Sequence, residues 1–197
     1  MEKHRGIILK MQVPSLKKGI LFDRDLGKIE ITAAGNIERL SAGCTILYYY
    51  TSKKHLYYLE MMEIIQAPFE LARENIYFLH HILELCYFFL PFEVSNCEVF
   101  SLLELLLQNS EQVKYAWFKK IFLLRLFTFL GMYPESQLLQ DKSIKRLLAG
   151  SFLQEDTVLD IHTHQALMRW FADCISLHPQ RSAFKTLAIG SEHVLYD

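Results

Sequence analysis

Cysteine, glycine and proline are scarce in this chain, and the common enzyme motifs are missing altogether. The 197 residues hold four cysteines, eight glycines and five prolines. Cys44, Cys86, Cys97 and Cys174 form no CxxC pair, which excludes a zinc ribbon and a disulfide framework and fits a reducing compartment. GxGxxG, GxxxxGK[ST], GxSxG and HExxH are all absent, so catalysis has no recognisable signature and the chain reads as a non-enzyme without cofactor. The opening MEKHRGIILKMQVP has too short an apolar run for a signal peptide, and a cytoplasmic protein is the simplest expectation. Net charge is also lacking: at −1 it predicts no polyanion partner by itself. There is no internal repeat and no low-complexity tract.

What is present is apolar residue and uneven charge. The chain is 51% hydrophobic and 22% charged, enough to bury a sizeable core. Residues 1–60 carry 10 Lys+Arg against 6 Asp+Glu, whereas residues 61–197 carry 11 against 16. That split hints at two parts with different partners.

The first part reads as strands. GIILKMQV (6–13), GILFD (19–23), KIEITAA (28–34), CTILYYYT (44–51) and HLYYLEMMEII (55–65) are short, rich in β-branched and aromatic residues, and separated by turns such as Arg24-Asp25-Leu26-Gly27. Five such strands predict a small antiparallel barrel, of the oligonucleotide-binding (OB) type by preference; an SH3-like barrel has the same pattern. After Pro68 the period changes to helical. Helices are expected over 69–90, from a Ser95/Glu98 capping box with a Val94–Val99 staple to 108, over 111–130, over 138–149, from a Thr157/Asp160 cap to 177, and over 181–189. The fold class is therefore α+β, with a barrel over 1–66 and an all-α domain over 67–197. The segment Tyr115–Leu130 is apolar nearly all round, broken only by Lys119, Lys120, Arg125 and Thr128, and closes at Gly131 and Pro134. Three charges in sixteen residues make it a buried central helix rather than a membrane span.

Metal ligation has weak support. His80-His81 and His162/His164 point to different sides of a helix; Asp160/His164, His80/Glu84 and Cys174/His178 have i,i+4 spacing, but two ligands do not make a zinc site. No metal is expected. The first sixty residues are more suggestive, because cations lie among Tyr48, Tyr49, Tyr50, Tyr57 and Tyr58. Cations follow phosphates and rings stack on bases, so these are ingredients for single-stranded nucleic acid. Surface lysines are also ordinary, and alternating strand tyrosines are half core by geometry.

Three stretches resemble the bacterial recombination mediator RecO: RGIILKMQVP, FDRDLGKIEITAAG and FLLRLFTFLGMYPES. Weaker similarity lies in APFELARENIYFLHHILEL and MRWFADCISLHPQRSAFKTL. The stretches follow the family's order over nearly the full length. The resemblance implies an OB barrel followed by a helical domain. It implies binding of single- and double-stranded DNA, strand annealing, and action with RecR to load RecA onto DNA coated by single-strand-binding protein, in the cytoplasm at the nucleoid. The implied DNA contacts are Lys10, Lys17, Lys18, Arg24, Lys28 and Arg39, then Lys53 and Lys54. Arg125 is the candidate for docking the acidic C-terminal tail of single-strand-binding protein; an ion pair with Glu84 or Glu104 is the equal alternative.

Two departures stand out. The family's basic loop after the third strand is replaced by AAGNIERLSAG, with Arg39 as its one cation beside Glu38, and residues 136–150 lack the cysteines of the family's optional zinc site. Loss of loop contacts raises the alternative of a divergent scaffold that keeps protein partners with weak or no DNA binding.

Overall fold

The computed structural model describes residues 2–12, 17–33, 40–134, 142–149 and 161–186. Five strands, β1 (His4–Met11), β2 (Lys18–Asp23), β3 (Gly27–Ala33), β4 (Thr45–Lys53) and β5 (Leu56–Gln66), close into a barrel in the order β1-β2-β3-β5-β4. Every neighbouring pair is antiparallel except β3 and β5, which run parallel from Glu30↔Leu56 to Ala33↔Leu59. This is an OB-like closure, and each strand begins and ends within two residues of its expected place. A bulge between Ile8 and Lys10 bends β1, which pairs with β4 over His4–Ile7 and with β2 over Gly6–Met11.

Alternation sorts the side chains. Ile8, Leu21, Ile29, Ile31, Ile46, Tyr48 and Leu59 fill the barrel. The β2–β3 turn rests on a buried carboxylate: Asp23 Oδ1 accepts from the Asp25 and Leu26 amides, both at 2.8 Å, and Oδ2 accepts from the Tyr48 hydroxyl at 2.5 Å. Burial and the Asp23 charge raise the Tyr48 pKa, which keeps the phenol a donor.

The helices are α1 (Phe69–Phe89), α2 (Cys97–Gln108), α3 (Ala116–Phe129), α4 (Lys142–Ala149) and α5 (Ile161–Ser176), with 3-10 turns at Ser110–Lys114 and Arg181–Ala183. The chain forms two compact units, Met1–Glu111 and Gln112–Asp197. In the first, α1 and α2 pack on the barrel. The Phe22 and Phe100 rings meet at 5.6 Å, Arg5 Nη2 lies 2.6 Å from Glu104 Oε1, and Gln66 Nε2 donates to the Leu107 carbonyl at 3.0 Å. Two local expectations need correction. Helix α2 is capped by Asn96, whose Oδ1 accepts from the Val99 amide at 3.0 Å, rather than by Ser95, and Val94 is half-exposed instead of stapled to Val99. Adjacent Ser and Asn are both good caps, and only the chain's path decides which one turns inward. Helix α1 is broken at Asn75, which is non-helical (φ −157°, ψ 90°) and caps the following turns through Oδ1 to the Phe78 amide at 2.9 Å.

In the second unit, α3 is buried on every side, by Phe118, Ile121, Phe122, Leu123, Leu124, Leu126 and Phe127, and Phe127 meets Trp170 and Phe171 of α5 at 5.8 and 5.7 Å. The expected single helix over 111–130 is interrupted, because Tyr115 is extended (φ −94°, ψ 127°). Its end is as expected: Gly131 has φ +85°, with Met132 N bonded to Phe127 O at 2.9 Å and Gly131 N to Thr128 O at 3.0 Å. Among the described residues no helix is long and apolar enough to cross a membrane. The Thr157/Asp160 cap, the start of the 138–149 helix and the end of the 181–189 helix lie outside the described residues.

One residue of α1 sets an acid limit on stability. His81 is fully buried, and burial lowers its pKa to about 4. The unfolded chain binds this proton below pH ~6.5, the folded chain only below about 4, so stability falls as pH drops through that window. The loss should reach roughly 3 kcal/mol at pH 4. Urea titrations at pH 7 and pH 4 check it: His81→Leu should lose less stability on acidification than the parent by about this amount.

Candidate nucleic-acid interface

The parallel pairing of β3 with β5 sets Leu56, the first residue of β5, beside Glu30, so the start of β2 and the β4–β5 turn lie on either side of the Glu30 row. Lys53↔Leu56 is the last pair of that hairpin, leaving a two-residue turn, Lys54-His55, with Lys54 in the left-handed region (φ +59°). A non-glycine residue there costs about 1–2 kcal/mol, and the turn projects its cation into solvent. Register places Lys18, Thr32 and Tyr58 in one row across β2, β3 and β5, and Ile20, Glu30 and Leu56 in the next. Residues 29, 31 and 59 of this sheet pack inside the barrel, so the two rows lie on its outer face.

Here lies an open groove of about 570 Å³, lined by Gln12, Lys18, Gly19, Glu30, Ile31, Lys53, Lys54, His55, Leu56 and Tyr58. Lys17 is exposed next to it in sequence. Among the described residues Lys17, Lys18, Lys53 and Lys54 have no carboxylate partner. The contrast with other cations of the unit is sharp: Lys3 pairs with Glu63 at 3.1 Å, Arg5 with Glu104, and Arg73 with Glu70. An un-neutralised cation cluster beside an exposed ring can attract a phosphate chain and stack a base.

Of the eight residues expected to contact DNA, Lys18, Lys53 and Lys54 are brought together, with Lys17 alongside. Lys10 is exposed, its Nζ 4.5 Å from the Tyr87 ring centroid. Arg24 is exposed at the other end of β2, about 20 Å away at ~3.3 Å per residue. Arg39 lies outside the described residues. Lys28 has to be corrected. It is buried, donates from Nζ to the Tyr87 carbonyl at 2.7 Å, and lies 4.4 Å from the Phe92 ring centroid. There it binds a last-turn carbonyl of α1 rather than a phosphate, and burial lowers its pKa to about 8. Of the tyrosines, Tyr48 is core, Tyr50 and Tyr57 pack edge-to-face at 5.2 Å, and Tyr58 faces the groove. Arg125 is half-buried on α3 in the second unit, where burial lowers its pKa.

Glu30, His55 and Gln12 are groove residues that reading the sequence did not select. Glu30 was within reach, as the solvent-side residue of an alternating KIEIT strand. His4, Asp23 and Asp25 form the one group among the described residues that could hold a metal ion, with ligand atoms within 4.8 Å of one another. Asp23 is already committed to the turn and to Tyr48, so this cluster reads as structural.

No protein-family model matches the chain, and no curated protein matches it.

Proposed function

We propose that this chain is a RecO-like recombination mediator whose barrel binds single-stranded DNA in the groove between the β4–β5 turn and the β2 start. The observation that carries this reading is that Lys18, Lys53 and Lys54, which have no carboxylate partner among the described residues, line one groove with the exposed ring of Tyr58. That side of an OB barrel, flanked by its β4–β5 loop, is where such folds take oligonucleotides. The segments that resemble RecO support annealing and RecA loading with RecR and single-strand-binding protein as the matching activity. Arg125 is the residue offered for the acidic tail.

A second reading is favoured by Glu30 inside the groove and by the withdrawal of Lys28: a scaffold that keeps protein partners and has lost most DNA affinity. Fluorescence anisotropy with a mixed-sequence single-stranded oligonucleotide, over a salt series, separates the two. The mediator reading expects micromolar or tighter affinity at about 50 mM salt, with a log–log slope of about −2 to −3 from three or four phosphate contacts. Absence of binding at low salt would leave the scaffold reading, to be followed by pull-downs with single-strand-binding protein and RecR.

A further inference from the structure

The groove holds one group that phosphate binding cannot use. Glu30 is exposed, lines the same groove as Lys18, Lys53 and Lys54, and makes no ion pair or side-chain hydrogen bond among the described residues. A carboxylate is an acceptor only and repels phosphate. Within a DNA strand, which lacks the 2′-hydroxyl, it can pair only with N–H groups, and these belong to bases.

Register fixes where such a base would lie. Glu30 is two residues along β3 from Thr32, which is flanked by Lys18 and Tyr58. Its carboxylate is therefore rooted about 7 Å from that row, roughly the span of one base. A phosphate held by Lys18, with the sugar-base unit against Tyr58, would turn a Watson–Crick edge toward Glu30, which lies between that row and the β4–β5 turn. Guanine alone presents two adjacent donors there, N1–H and the N2 amino group, which match the two carboxylate oxygens. Thymine offers N3–H between two carbonyls that a carboxylate repels. Adenine and cytosine set their amino group beside an acceptor nitrogen. In duplex DNA the guanine edge is occupied by cytosine.

We infer that Glu30 is a base-reading residue, making this groove selective for an unpaired guanine and hence for single strands over duplex. The inference rests on the groove being a nucleic-acid site, as proposed above. The test compares three hexanucleotides by anisotropy at one salt concentration: all-dT, the same with one central dG, and the same with inosine, which lacks the N2 amino group. The parent protein should bind the dG oligomer about 10-fold more tightly than all-dT, as one bidentate pair provides, with inosine losing most of that gain. Glu30→Ala should bind all-dT as well or better, because a repulsive charge is gone, and should bring the dG preference within twofold. Equal binding of dG and all-dT by the parent, or a preference that persists in Glu30→Ala, would overturn the base-reading role while leaving the groove a DNA site. Failure of every hexanucleotide and of a longer single strand at low salt would remove the DNA site itself, and the inference with it.

Discussion

Replacing Lys18, Lys53 and Lys54 together by glutamate should weaken single-strand binding by about 100-fold at low salt and flatten its salt dependence. The magnitude follows from counterion release. Each phosphate contact on a single strand contributes about −0.7 to the log–log slope, so three contacts account for roughly −2. Over a tenfold span of salt this corresponds to about two decades of affinity, and charge reversal adds repulsion to the loss. The substitutions are mild for the fold, since all three lysines are exposed and none bonds a carboxylate among the described residues. Lys3→Glu is the control. Its cation is neutralised by Glu63 at 3.1 Å, so affinity should move by less than about threefold. Equal losses from Lys3→Glu and from the triple variant would mean that net charge, not this groove, governs binding.

The barrel was legible in the sequence because alternation is local. Ile29 and Ile31 inside with Glu30 outside is a period of two, and it survives folding unchanged. The turn at Arg24–Gly27 was legible for the same reason: the Asp23-to-Gly27 spacing supplies both an Asx acceptor and a left-handed glycine. The groove was less so. Lys18 and Lys53 are 35 positions apart, and they line one groove because β5 pairs parallel to β3, a non-local choice that composition does not encode. Lys28 failed as a surface cation for a related reason. Its position on β3 is outward, as alternation requires, but this outer face is covered by the end of α1, so outward here means beneath Tyr87 and Phe92. Periodicity tells which face of a strand a residue occupies, not what is laid on that face. The misplaced α2 cap and the break at Asn75 belong to the same class, since Ser95, Asn96 and Asn75 are all good caps and tertiary path selects among them.

Two of the three segments that resemble RecO carry a glycine at positive φ, Gly27 and Gly131, and substitution of each by alanine should separate two physical roles. Gly27 has φ +79° and Gly131 has φ +85°, so an alanine at either meets the left-handed penalty of about 1–2 kcal/mol. At Gly131 that is the whole cost, because nothing lies within 4 Å of an added Cβ. At Gly27 the Cβ would sit 2.1 Å from the Val94 carbonyl oxygen and 2.7 Å from its nitrogen. These are backbone atoms, and the loop that carries them cannot simply swing away. Glu93 N bonds Lys28 O at 2.9 Å, and Phe92 bridges to Lys28, next to the residue being enlarged. Relief of the clash therefore requires tearing the α1–α2 connection from β3, which removes the cover over buried Lys28. Adding the ~1–3 kcal/mol typical of overpacking, Gly27→Ala should cost roughly 2–5 kcal/mol. Gly131→Ala should cost about 1–2 kcal/mol. Urea unfolding of the two variants, followed by far-ultraviolet circular dichroism, reads the difference directly. Similar small losses at both sites would mean that the loop of Phe92 to Val94 yields easily and that Gly27 is kept for its turn alone.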